Sequence, residues 1–303
     1  MDHNYTYQAT LEMSQRINWR IDDIIGEGKR LDFTQPFMPE SLARTDRLDF
    51  LSPDQRRLAN QIRGHNYLYL FGAVEEFILP FVLDQARPQL DADDYRVRAL
   101  LQFASEEAKH IHLFKIFREE FQAGFGLECP VIGPAREIAR QVLSHHPLGV
   151  ALTVLHIEWM TQRHYIESVR DDRDLDAQFS SLLRHHWMEE AQHAKLDTLM
   201  IEALAQVCQP EEIDRAIDEY VAIGALLDGG LQQQVDFDLD AFQRASGRIL
   251  TEAERDAFTA VQRQATRWTF LGSGMTQPNF LASVEALRPA ARARIEDLAP
   301  TFS

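Results

Sequence analysis

Apolar residues recur along most of this chain at intervals of three and four, the spacing that places them on one face of an α-helix. The breaks between such segments contain glycine or proline, as at residues 26–28 and 124–134. No stretch of useful length alternates between apolar and polar residues, as a half-buried β-strand would. The pattern therefore predicts an all-α protein.

The same pattern sets the expected helix boundaries. An opening helix is expected over residues 5–30. A second helix should begin at Ser52, a natural N-cap, with Pro53 in the first turn, and run towards Pro88 with Pro80 inside it. Further helices are expected over residues 91–124, 135–144, 148–170 and 177–207, with more helices from 211 to the C-terminus.

These helices suggest one domain built around a four-helix bundle. Residues 53–207 would form the bundle, and residues 125–147 would be the long crossover connection that joins its two helix pairs. Residues 1–50 would add an N-terminal helical extension, and residues 211–303 would pack as C-terminal helices around the bundle.

Two segments in this region are near copies of each other: EEAKH, which ends at His110, and EEAQH, which ends at His193. Each contains a Glu-x-x-His pair, Glu107 with His110 and Glu190 with His193. Residues three apart lie on the same face of a helix, so each pair directs a carboxylate and an imidazole towards one point. A single pair of this kind is more often a solvated surface feature than a metal site.

An upstream glutamate accompanies each pair. Glu75 precedes Glu107 by 32 residues, and Glu158 precedes Glu190 by the same interval. Glu76 is an alternative to Glu75, because both lie near the inward face of a helical wheel. On such a wheel we expect four polar residues to face outward: Arg63, Asn66, Asp84 and Gln85.

The chemistry of such a cluster points to metal ions. Glutamates surrounded by apolar residues are costly to bury as charges unless they are paired or bind a cation. Two divalent cations would balance the charge of four converging carboxylates. A mixture of carboxylate and imidazole ligands suits iron or manganese, although zinc accepts the same ligand types.

The residues next to the motifs have other expected roles. Glu106 and Glu189 each precede a motif glutamate by one position, and we expect them to point outward or to contact a ligand from outside. His186 lies four residues before Glu190, on the same helix face, and is a candidate seventh ligand or a hydrogen-bonded core residue. The equivalent position on the other motif helix is Phe103.

Composition and charge argue against some classes of binding partner. The chain has 303 residues and a net charge of −16, with no concentrated basic face, which argues against binding nucleic acid. Its two cysteines form no CxxC motif and fit a reducing cytosol. No signal peptide is visible, and the most apolar stretches carry acidic residues, so we expect a cytoplasmic protein that does not span a membrane.

The order Glu, Glu-x-x-His, Glu, Glu-x-x-His resembles the ferritin-like di-iron carboxylate superfamily over residues 53–207. A histidine four residues before the second motif glutamate is similar to the para-aminobenzoate N-oxygenase group, whose di-iron site carries a third histidine. Phe114 stands where many ribonucleotide reductase small subunits keep a radical tyrosine, which counts against that function. The resemblance implies seven metal ligands: Glu75, Glu107, His110, Glu158, His186, Glu190 and His193.

The resemblance also implies a function. It favours a di-iron oxygenase or oxidase that activates O2 and acts on a small organic substrate, including N-oxygenation of an amine. The cofactor would be two Fe ions, with Mn as an alternative metal. Because no flavin, nicotinamide or iron–sulfur motif is present, electrons would come from an external reductase or ferredoxin. A homodimer is a further expectation.

Two alternatives remain open at this stage. Thr161, one turn after Glu158, is a candidate for proton delivery, but a core hydroxyl that bonds its own helix backbone is an equal reading. The protein could also be a metal-handling protein, a ferroxidase or a manganese catalase-like enzyme. The length of the chain beyond the bundle favours a substrate-binding enzyme instead.

Overall fold

The computed structural model describes residues 3–91 and 94–302. Across these ranges the regular structure is helical, and the only β-type pairing is an isolated bridge between Gly26 and Lys29. The all-α prediction is confirmed. The helices are α1 (Tyr7–Ser14), α2 (Ile21–Ile24), α3 (Glu40–Ala43), α4 (Pro53–Ala86), α5 (Asp94–Phe125), α6 (Ala135–Val142), α7 (Pro147–His164), α8 (Ala177–Ala205), α9 (Pro210–Ser246), α10 (Glu252–Arg267), α11 (Ser273–Met275), α12 (Pro278–Leu287) and α13 (Pro289–Leu298).

Four long helices form the core bundle, as predicted. Helix α4 packs along α5, α7 packs along α8, and α5 also contacts α8. Helix α6 lies within the expected crossover connection and packs against α4. Two π-helical segments, Tyr165–Val169 and Trp268–Gly272, directly follow α7 and α10.

Helix α4 begins where the sequence indicates. The Ser52 side chain accepts a hydrogen bond from the Gln55 backbone N–H, and the Gln55 side chain accepts one from the Ser52 backbone N–H. Pro53 occupies the first helical position. The helix then continues through Pro80 to Ala86 as a single α-helix. This length lets one helix carry Glu75 into the middle of the bundle.

The single opening helix expected over residues 5–30 is wrong. Helix α1 ends at Ser14, and α2 is only a single turn. Ile25, at the end of α2, adopts an extended conformation, which takes the chain out of the helix, and both Ile24 and Ile25 are buried. The break also lets Trp19 fold back onto α5, with its ring 3.8 Å from Nζ of Lys109.

The C-terminal helices cover the outside of the bundle. Helix α9 packs against both α4 and α7, and α10 packs on α9. Arg63 and Asn66 are therefore buried, at 1% and 0% exposure, so placing them outward on the helical wheel is wrong. A helical wheel of α4 shows which residues face away from the bundle centre. It does not show that α9 covers that side of the helix.

Among the described residues, one helical stretch, Pro53–Gln89, is long and apolar enough to cross a membrane by length and composition. Of its apolar window, 67% is buried inside the protein. It includes α4, so the apolar composition is explained by packing in the bundle core.

Candidate metal centre

Six of the seven predicted ligands come together in the bundle as two overlapping groups. One group contains Glu75, His110, His186 and Glu190, and the other contains Glu107, His110, Glu190 and His193. In each group the candidate ligand atoms lie within 4.8 Å of one another, and every residue is buried.

The alternative between Glu75 and Glu76 is decided by their burial. Glu75 is 2% exposed and faces the cluster, whereas Glu76 is exposed to solvent. Adjacent residues on a helix differ by about 100° in direction, and at this position of α4 that difference turns Glu76 out to solvent.

The first group brings α4, α5 and α8 to one point. His186 Nε2 lies 3.2 Å from Glu75 Oε1 and 2.7 Å from Glu190 Oε1. His110 Nδ1 is 3.0 Å from the same Glu190 oxygen. Glu75 and His186 thus face each other across the bundle, with Glu190 between its two histidine neighbours.

The second group joins the two Glu-x-x-His motifs directly. His193 Nδ1 lies 2.9 Å from Glu107 Oε1 and 3.0 Å from Glu190 Oε2. His110 Nδ1 is 3.7 Å from Glu107 Oε2. Glu190 therefore presents one oxygen to each group, the position from which a carboxylate can serve two cations.

Glu158, the seventh predicted ligand, comes from α7. It is 1% exposed and makes side-chain hydrogen-bond contact with Glu190. Glu158 belongs to neither four-residue group. Its contact with Glu190 places it beside both, because Glu190 belongs to both. Burial and the neighbouring charge of Glu190 raise the pKa of Glu158 well above its usual value, so the two carboxyls can share a proton.

Buried atoms without hydrogen-bond partners show that these residues fit cations. Within the part of the chain that the structure describes, five of the seven residues have such atoms: Glu75 Oε2, both oxygens of Glu107, His110 Nδ1, Glu158 Oε2 and Glu190 Oε1. Some lie at ion-pair distance from one another, yet the angles do not allow hydrogen bonds. Buried polar atoms are normally paired, so a cluster of unpaired oxygens and an imidazole nitrogen around one centre is suited to binding metal ions.

The electrostatics of the cluster agree with this. Burial opposes charge on His110 and His193, but the surrounding carboxylates, Glu190 foremost, raise the pKa of both well above the usual value. Burial likewise opposes charge on Glu190, yet His186 and His193 hold its pKa well below the usual value. The site therefore stabilises positive charge at its centre, whether carried by protons or by metal ions.

Glu106 and Glu189 do not point outward. Both are buried, and each contacts the motif histidine of the opposite helix: Glu106 Oε2 lies 2.9 Å from His193 Nε2, and Glu189 Oε2 lies 2.8 Å from His110 Nε2. Each histidine thereby gives its outer nitrogen to a carboxylate and keeps Nδ1 for the cluster. Carboxylate partners of this kind fix the tautomer and orientation of metal-binding histidines.

The N-terminal segment completes this outer layer. Ser14 on α1 donates to Glu106, and Lys109 on α5 donates to Glu189. The Trp19 ring covers Lys109 and lies parallel to the ring of His110, with centroids 6.1 Å apart. The N-terminal segment therefore bonds Glu106 directly through Ser14 and reaches Glu189 only indirectly, through the Trp19 ring on Lys109.

Aromatic residues surround the histidines. Phe71 and Phe114 meet His186 edge-on, and Phe103 stacks on His193 with centroids 4.0 Å apart. These rings pack directly on the candidate ligands and limit the access of water to them.

The Thr161 hydroxyl donates to the carbonyl oxygen of Ile157, four residues earlier, at 3.0 Å. This is the helix-backbone bond that stood as the alternative to proton delivery. In this structure the hydroxyl proton is held within α7.

Asp197 was not identified from the sequence. It is 0% exposed, neither of its oxygens has a hydrogen-bond partner among residues 3–91 and 94–302, and burial raises its pKa well above the usual value. It lies four residues after His193, and the spacing of His186, Glu190, His193 and Asp197 keeps all four on one helix face. That continued spacing was the signal that could have revealed it.

Together these features form a four-helix bundle in which each helix directs carboxylates or histidines into a shared core, the arrangement in which such bundles can hold two metal ions. The predicted fold and the predicted convergence of the two motifs are confirmed.

No protein-family model and no curated protein matches the chain. Among solved structures it is similar to variants of an R2-like ligand-binding oxidase. A variant with an anaerobically reconstituted Mn/Fe cofactor is 14% identical, with a TM-score of 0.44 and alignment of 89% of this chain with 93% of that one. One with an aerobically reconstituted Fe/Fe cofactor is 14% identical, with a TM-score of 0.44 and 89% and 94% coverage.

Proposed function

We propose that the protein is a dimetal oxidase or oxygenase that uses O2 to oxidise a small organic substrate. The observation that carries this proposal is the cluster of buried carboxylates and histidines with unpaired ligand atoms at the centre of the bundle. Such a cluster is expensive to maintain for folding alone, since apolar residues would fill the same space at lower cost.

The residues present fit two iron ions, with manganese as the alternative. Glu75 and His186 would serve one ion, Glu107 and His193 the other, and Glu190 offers an oxygen to each. When bound, iron or manganese in this ligand environment supplies the redox chemistry needed to react with O2. Carboxylate and imidazole ligands suit both metals.

The protein's own residues would prepare this chemistry. Glu106 and Glu189 hold the motif histidines with Nδ1 directed inward, and the aromatic rings of Phe71, Phe103 and Phe114 exclude water. Glu158, held in contact with Glu190, can keep or release a proton inside the cluster. These groups therefore orient the ligands and manage protons in a dry site.

The finer assignment, N-oxygenation of an amine, rests on His186. Its Nε2 lies close to carboxylate oxygens of both Glu75 and Glu190, a position from which it could add a third imidazole to the centre. Insertion of one oxygen atom from O2 into the substrate requires two electrons and two protons and releases one water. We propose an external reductase or ferredoxin as the electron donor.

The test is reconstitution of the full chain with Fe(II) under anaerobic conditions, followed by metal analysis and exposure to O2. We expect about two metals per chain, by analogy with other two-metal sites, and O2 uptake that depends on the metal. Protein that binds no metal, or binds it without O2 uptake, would contradict the proposal. Rapid loss of H2O2 with a manganese-loaded protein would instead favour a catalase.

A further inference from the structure

A cleft of about 780 Å³ lies between α5 and the segment that precedes α6, with α4 at its base. Its volume falls within the range of roughly 300–1,000 Å³ typical of small-molecule sites. On α4 its lining residue His65 lies ten residues before Glu75, and on α5 its lining residue Arg118 lies eleven residues after Glu107. Such intervals are roughly 15 Å along a helix, so the cleft is separate from the candidate metal centre.

The segment before α6 forms one wall of the cleft and is held in place by α9. Gln234 donates to the carbonyl oxygen of Pro130 at 3.1 Å, and its side-chain oxygen accepts from the backbone N–H of Ile132 at 2.9 Å. Arg244 donates to the carbonyl oxygen of Glu128 at 3.0 Å. These bonds fix the backbone of this wall, so the cleft is already formed without a ligand.

Aromatic rings position the two polar groups in the inner part of the cleft. His65 is 4% exposed and stacks on Phe121 with ring centroids 4.6 Å apart, and its Nδ1 has no hydrogen-bond partner among residues 3–91 and 94–302. Arg118 is half-buried, with Cζ 4.8 Å from the centroid of the Tyr69 ring, and its buried Nε lacks a partner in the same ranges. Buried nitrogens are normally paired, so these atoms remain free for a ligand.

The inner part of the cleft favours an anionic group. Burial and the charge of Arg118 lower the pKa of His65 to about 3, so the imidazole is neutral at neutral pH. A neutral imidazole carries one N–H, which can lie on Nδ1 and donate a hydrogen bond. The guanidinium of Arg118 adds a positive charge and further donors beside it. Together they suit a carboxylate or another oxyanion.

The outer part of the cleft has the opposite charge. Its exposed ionisable residues are two carboxylates and one ammonium, Glu119, Glu128 and Lys115, so this part is net negative. A ligand with a single charge would therefore be attracted by one level of the cleft and repelled by the other. A ligand with an inner anionic group and an outer cationic group would be attracted by both.

We propose that this cleft binds a zwitterionic small molecule, with its anionic group on Arg118 and His65 and its cationic group beside Glu119 and Glu128. A guanidinium can form two parallel hydrogen bonds to a carboxylate, which makes the inner contact the stronger one. Exposed carboxylates attract an ammonium group more weakly. The proposal concerns a second site and does not depend on the proposed oxidase function.

The experiment compares 6-aminohexanoate with hexanoate and hexylamine, which have the same carbon chain but only one charge each. Binding is measured by calorimetric titration of the full chain at low salt, without added metal. We expect aminohexanoate to bind roughly tenfold more tightly than hexylamine, because the amine lacks the hydrogen bonds to Arg118. We expect it to bind roughly threefold more tightly than hexanoate, a difference that should fade with added salt.

Variants separate the two levels of the cleft. Arg118→Met should abolish the preference for aminohexanoate over hexylamine, whereas Glu119→Gln combined with Glu128→Gln should abolish the preference over hexanoate. Ala123→Phe, at a lining position, should weaken the binding of all three probes by filling the cleft. Arg98→Met removes an exposed arginine near the other end of α5 and should alter none of the three.

Equal binding of the three probes by wild-type protein would overturn the proposal, as would a preference over hexylamine that persists in Arg118→Met. Hexanoate bound as tightly as aminohexanoate would show that the outer carboxylates take no part, and the zwitterion assignment would fall. If Arg118→Met does not fold, Arg118→Lys serves instead: it keeps the charge but loses the paired hydrogen bonds, so the preference over hexylamine should shrink. An unchanged preference in Arg118→Lys would then count against the site.

Discussion

Glu106 on α5 lies 2.9 Å from Nε2 of His193 on α8, and the reverse pairing joins Glu189 on α8 to His110 on α5 at 2.8 Å. Each Glu-Glu-x-x-His segment therefore supplies one histidine to the centre and one carboxylate to the other segment's histidine. The near-copy of five residues in the sequence becomes a reciprocal contact in the fold. Both glutamates of each segment have a structural role at the site.

Replacing Glu106 tests this reciprocal arrangement. Without the carboxylate, His193 loses the partner that fixes its ring, and changes of this kind typically cost roughly 10- to 100-fold in metal affinity. We expect Glu106→Ala to weaken metal binding by that amount, measured by competition with a chelator. Glu76→Ala, at an exposed glutamate next to Glu75, is the control. Equal metal affinity in both variants would contradict the role of Glu106.

Replacing Glu107 tests the ligand set itself. The carboxylate lies between His110 and His193 and has two unpaired oxygens, so Glu107→Ala removes a candidate ligand from the second group. We expect metal content to fall below the wild-type value of about two ions per chain, measured by elemental analysis after reconstitution. Circular dichroism should show that the helices persist. A Glu107→Ala protein with full metal content would show that the assignment is wrong.

The helices of the bundle could be predicted because their burial follows local periodicity. Spacing alone also brought the two motifs together and selected Glu75, since equal intervals on paired helices place residues at the same level. Asp197 was predictable in the same way, as it continues the row of His186, Glu190 and His193. The position of each of these residues follows from the geometry of the helix that carries it.

Other features depended on packing between distant segments. The burial of Arg63 and Asn66 requires α9 to cover the outside of α4, and α9 begins only at Pro210, more than 140 residues later in the sequence. Glu106 is held inward by α8 and by Ser14 of α1, and a helical wheel of α5 alone cannot show either neighbour. The contact between Trp19, beyond the end of α1, and Lys109 on α5 likewise joins segments that are distant in the sequence.

His186 decides the finer chemical assignment. If it ligates, His186→Ala should keep metal through the remaining ligands but lose or redirect the reaction with O2, because one ion loses an imidazole. Metal content and O2 uptake should therefore separate in this variant, whereas both should fall together in Glu107→Ala. Unchanged turnover in His186→Ala would remove the comparison with N-oxygenases and leave a six-ligand oxidase or oxygenase.

Asp238 should make stability depend on pH in a direction opposite to that of most carboxylates. Burial raises its pKa to about 6, against the hydrogen bonds from Gln234 and Asn66 and the charge of Arg63, which lower it. The folded state therefore holds this proton more tightly than the unfolded chain, whose pKa is near 3.8. Its stabilising contribution is complete below about pH 4 and is lost as the pH rises through about 6.

Asp238→Asn isolates that contribution, because the amide keeps the size of the side chain and does not titrate. The free energy of unfolding of wild type relative to Asp238→Asn should fall by about 2 kcal/mol between pH 4 and pH 7, since each pKa unit corresponds to about 1.4 kcal/mol and part of the effect already lies below pH 4. Urea unfolding at several pH values measures this difference, and other groups that titrate in both proteins cancel. Asp240→Asn, at an exposed position on the same helix, is the control. A difference between wild type and Asp238→Asn that stays constant or grows with pH would show that the buried carboxyl is not held protonated.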